Sequence, residues 1–224
     1  MRINRFLLLL SISLMAQSAV AQNLIDNGSF ENGDYSGGAW ETVSPGDDDI
    51  TSWVVGGAGV DWHNTIEMQF PNDGSLAVDL NLSGGGLSDT GTLSQSFATA
   101  SGQKYHLTFF LAGPAGDTFP DPREIQVDID GLTQTFSTPA SPHDALVWEQ
   151  MDLEFTATDV QTTVMFSSVD GTGFWGPLLD SVSVTAIASP VVSEQEPIPA
   201  VGSVGAAILF GTLLLFGLVA LRKP

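Results

Sequence analysis

The run Asp61-Trp62-His63, with Asn64 after it, sets an indole beside a carboxylate, an imidazole and an amide. That mixture suits a sugar. The C–H face of a pyranose packs on an aromatic ring while neighbouring polar groups bond its hydroxyls. The run reads as a loop or strand end, and Asp61, Trp62 and His63 are the first candidates for ligand contact. Trp175, in the segment Gly173-Phe174-Trp175-Gly176, is the second. The alternative for both indoles is structural, a loop tryptophan that plugs the end of a core. Trp53 and Trp148 fall inside strand-like runs and are expected in the core. Trp40, which follows Gly37-Gly38-Ala39, fits either place.

Catalytic chemistry finds no constellation. His63, His106 and His143 are far apart in the chain, and His106 reads as a solvated strand position. No G-x-S-x-G elbow and no H-E-x-x-H helix occurs. Gly84-Gly85-Gly86 lacks the strand-to-helix context and the lysine of a phosphate-cradling loop. A glycosidase needs only a carboxylate pair, and nothing singles one out among 26 acids. No catalytic residue is assigned, and a non-enzymatic role is expected.

The acids are distributed as unevenly as the bases. The 224 residues hold 26 Asp and Glu, 6 Lys and Arg, and no Cys. Arg2, Arg5, Arg222 and Lys223 sit at the chain ends, so Lys104 and Arg123 alone face every acid between residues 22 and 200. Such a middle cannot displace counterions from phosphates, which excludes nucleic acid as a partner, and it excludes anionic lipid held through a basic patch. Without Cys there are no disulfides, thiolate metal sites or Cys nucleophiles. Asp47-Asp48-Asp49 is the densest cluster. Its plain reading is a solvated turn, because consecutive acids point different ways, and its other reading is a calcium loop.

The elements that must position these residues are strands. Tyr105, Leu107, Phe109 and Leu111 alternate with polar or outward positions, as do Ile125, Val127 and Ile129. Leu153 and Phe155, Val164 and Phe166, and Val182 and Val184 repeat the period of two. That period means one face buried and one wet. Turn signals at Pro71-Asn72-Asp73-Gly74, Gly84-Gly85-Gly86, Asp130-Gly131 and Asp170-Gly171 separate the runs. Many short strands without alternating helices predict an all-β fold, a sandwich or jelly roll, over residues 22–188.

The ends read as addresses. Arg2 and Arg5, the apolar run Phe6 to Met15 and Ala19-Val20-Ala21 form a secretory signal peptide over residues 1–21. Residues 189–200 form a Pro- and Glu-containing linker. Residues 201–221 are an uncharged apolar run of spanning length, predicted as a transmembrane helix, and residues 222–224 are a basic cytoplasmic tail. Glu196-Pro197, the apolar helix and the basic pair together resemble the PEP-CTERM type of C-terminal sorting signal of Gram-negative bacteria, although a full Pro-Glu-Pro is absent. The resemblance implies an exosortase-like processing enzyme, with cleavage near the linker and release or attachment at the cell surface. A permanent single-span anchor is the alternative.

The domain carries a second resemblance. Asn23-Leu24-Ile25-Asp26-Asn27-Gly28-Ser29-Phe30-Glu31 opens it, and Ile50-Thr51-Ser52-Trp53 and Gly59-Val60-Asp61-Trp62 follow. Asp73 to Asn81, Gly91 to Phe97, Tyr105 to Phe109 and Gly176 to Val184 complete the ordered set. In order and spacing these blocks resemble the choice-of-anchor C family of bacterial surface proteins. That family is similar to plant cell-wall proteins with galactose-binding-like jelly rolls. The resemblance implies a galactose-binding-like jelly-roll β-sandwich and polysaccharide or cell-envelope glycan as the ligand. It also implies a structural Ca²⁺ held by Glu31 and Asp180, the positions matching the Glu and Asp that hold the ion in carbohydrate-binding jelly rolls. The alternative is that both carboxylates accept hydrogen bonds from turn amides. The functional expectation is an exported cell-surface protein that binds carbohydrate without catalysis. An acidic, calcium-dependent adhesive matrix protein and a glycoside hydrolase are the rival readings.

Overall fold

The computed structural model describes residues 22–64, 71–82, 90–113, 122–139, 141, 146–169 and 175–188. The chain divides into two compact units, Met1–Ala188 and Ser189–Pro224. The signal peptide, linker, apolar run and basic tail read from the sequence lie outside the described residues, as do His143 and Phe174. No helix among the described residues is long and apolar enough to cross a membrane.

Alternation of side chains dictates two antiparallel sheets facing one another. The larger sheet takes β1 (Trp40–Val43), β3 (Val60–His63), β4 (Ala77–Asp79), β11 (Leu178–Ala186), β6 (Lys104–Ala112) and β9 (Glu149–Thr156), in that spatial order. The smaller takes β2 (Val54–Gly57), β5 (Gly91–Ala98), β10 (Gln161–Ser168), β7 (Glu124–Ile129) and β8 (Leu132–Ser137). Only β3–β4 and β7–β8 are consecutive strands paired within one sheet, and every other connection crosses to the opposite layer. This is the winding of a jelly-roll sandwich, and the all-β expectation holds.

The core lies between the layers. Tyr105, Leu107, Phe109 and Leu111 of β6 are buried against Ile125, Val127, Ile129, Val164 and Phe166 of the smaller sheet. Phe109 and Phe166 meet edge to face with ring centroids 5.2 Å apart. Each such aromatic or aliphatic side chain contributes about 1.5–3 kcal/mol by leaving water.

The opening stretch closes one end of this core. Asn27 has φ of 52°, and its side chain staples the loop to itself. Nδ2 donates to the Asn32 and Thr51 carbonyls at 2.8 and 2.9 Å, and Oδ1 accepts from Asn32 N at 2.9 Å. Phe30 is fully buried against Trp53, whose Nε1 donates to the Asn27 carbonyl. A Cβ at Gly28 would lie 2.0 Å from the Val182 carbonyl oxygen, and Val182 N donates back to Gly28 O at 2.8 Å. Only glycine lets this loop run so close to β11.

Candidate functional site

Asp61, Trp62 and His63 are consecutive on β3, so period-two alternation cannot place them on one face. Trp62 points into the sandwich with Val60 and Val78 and is fully buried. Its ring takes Tyr35 edge-on at 5.1 Å and 83°. Trp62 thus lies at a strand end and takes the structural alternative, and as a ligand contact it is corrected: its ring faces are spent on the core. Its Nε1 has no hydrogen-bond partner among the described residues.

Asp61 and His63 face the other way, onto the outer side of the larger sheet. Trp40 lies directly opposite His63 in the β1–β3 register, and the two rings are 6.3 Å apart at 32°. Trp175 stacks on the same imidazole at 5.5 Å and 28°. His63 is only 2% exposed, while Trp40 is 51% exposed and Trp175 is half-buried. The open ring surface in this group belongs to the two indoles, with the imidazole between the strand and its aromatic cover. Burial pushes the His63 imidazole down to about 4, against the opposing pull of the Asp61 carboxylate. His63 is accordingly neutral near pH 7, and its Nε2 has no hydrogen-bond partner among the described residues.

Beneath this aromatic group lies a buried polar cluster. Asp61 and Asp79 sit opposite one another across β3 and β4, both fully buried. Asp61 Oδ1 accepts from Thr42 Oγ1 at 2.6 Å. Asp79 Oδ1 accepts from the Asn81 amide at 2.8 Å and from the Gly176 amide at 2.9 Å. Burial, reinforced by the Asp61 charge, holds Asp79 well above the usual carboxylate range, against the Asn81 and Gly176 amides and the charge of Arg123. Arg123, one of only two bases in the acid-rich middle, is itself 1% exposed. Asp79 thus fixes the backbone at Gly176, next to Trp175. A Cβ at Gly176 would come within 2.5 Å of Asp79 Oδ1, so glycine is required for that approach. Ala112 and Leu178 form a small apolar patch on the same face, with Leu146, Trp148 and Trp175 packed on it. Trp148, expected in the core, belongs to this outer patch, whereas Trp53 is in the core.

Glu31 and Asp180 both accept hydrogen bonds from backbone amides. Glu31 Oε1 accepts from both Ser75 N and Leu76 N at 2.7 Å. Asp180 Oδ2 accepts from Asp73 N at 2.9 Å and Oδ1 from Ser181 N at 2.6 Å. The two carboxylates bond the backbone of residues 73–76, just ahead of β4. Burial pushes the Asp180 carboxyl up to about 7, against the amides that bond it. The N–H donors reach Glu31 through Oε1 and Asp180 through both of its oxygens. These bonds are those of the turn-amide reading of the two carboxylates. In the Asp47-Asp48-Asp49 run, Asp47 Oδ2 caps Ser44 N at 3.2 Å, which is turn chemistry too.

Residues 23–185 match the model of DUF642, described as a protein of unknown function. The chain belongs to the DUF642 family. A search of curated proteins finds no match. Among solved structures, this DUF642 domain is similar to TmCBM61 in complex with β-1,4-galactotriose, at 18% identity and a TM-score of 0.45, covering 75% of this chain and 100% of that one. It is similar to a structure titled CBM4 structure and function at 19% identity and a TM-score of 0.41, covering 73% and 99%. The CBM22-1 xylan-binding domain of Xyn10C from Paenibacillus barcinonensis matches at 14% identity and a TM-score of 0.43, covering 77% and 99%.

Of the ligand residues read from the sequence, the DUF642 fold brings Asp61, His63 and Trp175 to one outer face and sends Trp62 to the core. Sequence reasoning left Trp40 undecided and missed Asp79 and Arg123. Trp40 needed the strand register, which no local pattern supplies. A lone arginine among so many acids was a signal for Arg123, since a buried base needs carboxylate company.

Proposed function

We propose that this DUF642 domain is a non-catalytic carbohydrate-binding module of an exported surface protein, and that its sugar platform is the Trp40–Trp175 pair on the outer face of the larger sheet. One observation carries the reading: two indoles with open ring surface gather around a single buried imidazole, on a face whose polar groups lie immediately beneath. Aromatic faces bind sugar C–H surface, and a rigid support lowers the entropy lost on binding. Asp61, His63 and Asp79 act from below as positioning residues. Asp61 and Asp79 have no exposed surface, and so they support binding and offer no acid–base pair to a polymer. The sequence features at the ends support export by residues 1–21 and surface sorting through residues 189–224, with an exosortase-like enzyme as processing partner. Mass spectrometry of the mature chain from its native cells tests that arm.

Affinity electrophoresis of the full chain in mild detergent tests the platform, with neutral polysaccharides cast into the gel. Trp175→Ala and Trp40→Ala each remove a ring face. An aromatic anchor is worth about 2 kcal/mol, so each variant should bind roughly 30-fold more weakly. Unchanged circular dichroism and melting temperature establish that the fold survives. Full retention of both variants on every polymer that holds the wild type overturns the assignment.

A further inference from the structure

Four strands stand at the edges of the two described sheets, and three of them are blunted. In the larger sheet, β1 is four residues long and holds Glu41, while β9 carries Glu149, Asp152 and Glu154. In the smaller sheet, β2 is four residues long and ends in Gly56-Gly57. Short, charged or glycine-weakened strands turn a further strand away. The other edge of the smaller sheet differs. β8 is six residues with no charge, proline or glycine, and all but the half-buried Phe136 are exposed. Its inner face is anchored, since Phe136 packs on the core and meets Phe109 edge-on at 5.2 Å.

The hairpin that builds β8 decides which of its backbone groups are open. Ile129 pairs with Leu132 around Asp130-Gly131, whose φ values of 49° and 80° suit a two-residue hairpin turn. Past the far end of the ladder, Thr138 N donates to Arg123 O at 2.8 Å. On the other side of β7, Val169 N donates to Glu124 O at 3.1 Å. Antiparallel ladders alternate between pairs that exchange N–H···O bonds and pairs that do not. Stepping back by twos from Thr138, Phe136, Gln134 and Leu132 turn their backbone groups to β7. Thr133, Thr135 and Ser137 turn theirs away from the sheet, so each offers an N–H and a C=O along the exposed edge.

That row is its own complement. We infer that β8 is a dimer edge, pairing antiparallel with β8 of a second copy of this chain about a two-fold axis through Thr135. Thr135 meets its counterpart, and Thr133 meets Ser137 on either side of the axis. Each facing pair exchanges two backbone bonds, and the symmetric contact consumes both edges and closes. Thr–Thr and Thr–Ser neighbours are favourable cross-strand pairs. Charge selects the same strand. With 26 acids against 6 bases, two copies repel except where acids stand back. The acids flanking β8 are internally engaged: Asp128 accepts from Thr133 Oγ1 and Gln126 Nε2, and Asp130 from Thr158 N and Oγ1. Across the joint, β7 stands three strand spacings from its counterpart, about 14 Å, beyond the screening length of about 8 Å at physiological salt. In the other layer, β9 runs near β8, since Leu132 and Glu154 line one cavity, and its acids add a repulsion that salt relieves. A single short edge places the contact among small, transient interfaces, below about 1,200 Å².

The chain has no Cys, so a single introduced one reports on its own neighbour. Thr135→Cys on the two-fold axis sets two Cα atoms about 5.5 Å apart, within disulfide reach. Mild oxidation of the full chain in detergent should give a disulfide dimer for Thr135→Cys and none for Val54→Cys, an exposed position on the opposite edge. Sedimentation of the wild type in density-matched detergent should show a monomer–dimer equilibrium at up to about 0.1 mM chain, tightening at least about three-fold from about 0.05 to about 0.5 M NaCl. Thr135→Lys, which sets like charges opposite one another, should weaken the dimer at least about ten-fold with the melting temperature unchanged. A wild type that stays monomeric at both salts overturns the assignment. So does a Val54→Cys chain that cross-links as readily, or a dimer indifferent to Thr135→Lys, which would be joined elsewhere.

Discussion

Asp180 gives the sharpest handle on how the turn between β3 and β4 is held. Its carboxyl is fully buried, accepts from the Asp73 and Ser181 amides, and is pushed from 3.8 up to about 7. The folded value lies above the unfolded one, so the folded protein binds the proton more tightly. Stability linked to Asp180 is therefore fully present below pH 3.8 and is lost as pH rises through about 7. Each unit of difference is worth about 1.36 kcal/mol, so the span from pH 5 to pH 7 removes about 2–3 kcal/mol. Asp180→Asn abolishes that titration. It also sets an amide N–H₂ against one backbone donor, which costs about 1–3 kcal/mol by leaving a buried group unpaired. Urea denaturation of wild type and variant from pH 5 to pH 8 reads the difference directly, because the other titrating groups cancel between them. The variant should be clearly less stable at pH 5, and its deficit should shrink by about 2–3 kcal/mol by pH 8. A deficit that is flat with pH, or that grows, would refute the account of a buried, proton-holding turn clamp.

Two further outcomes follow from the same end of the sandwich. Excess chelator should leave the melting temperature unchanged, because Glu31 Oε1 and both Asp180 oxygens already accept from N–H donors; a fall on adding EDTA that calcium reverses would assign the ion to this pair. Gly28→Ala drives a methyl to 2.0 Å from the Val182 carbonyl oxygen and should cost about 3 kcal/mol in urea denaturation, with near-wild-type stability as the contrary result.

The sandwich was readable because its signal is local. Tyr105 to Leu111 and Ile125 to Ile129 alternate in the sequence, and each apolar member is buried in the structure. The ordered blocks were readable for the same reason, and the structure gives them physical content. Asn27 staples a loop, Gly28 permits a close approach, Phe30 fills the core and Glu31 caps a turn. These residues therefore report how the fold is closed, and no ligand is needed to explain why the stretch is so specific in composition. What local pattern cannot supply is the partner strand. That Asp61 faces Asp79 and Trp40 faces His63 depends on register between strands joined by long connections.

The candidate residues were divided on their strand and regrouped by the fold for one geometric reason. A cluster of chemically suitable residues in consecutive positions looks like a site in the sequence, but on a strand it is divided between two faces. Asp61 and His63 kept company with each other and lost Trp62 to the core. The aromatic contribution then came from elsewhere, Trp40 from the neighbouring strand and Trp175 from the segment before β11, more than a hundred residues away in the chain. The buried polar cluster explains why that distant indole is held there. Asp79 spends its carboxylate on the Gly176 amide, and Gly176 tolerates the approach only because it lacks a side chain. Buried carboxylates on an outward-facing surface are costly unless they are bonded and balanced. Here the amides of Asn81 and Gly176 and the charge of Arg123 offset part of that cost, burial still holds Asp79 well above the usual carboxylate range, and the bond to Gly176 ties down the backbone beside Trp175. The acids that make the domain unfit for nucleic acid thus divide by position. Those beneath the outer face hold the segment that carries Trp175, and those exposed elsewhere keep the domain strongly negative.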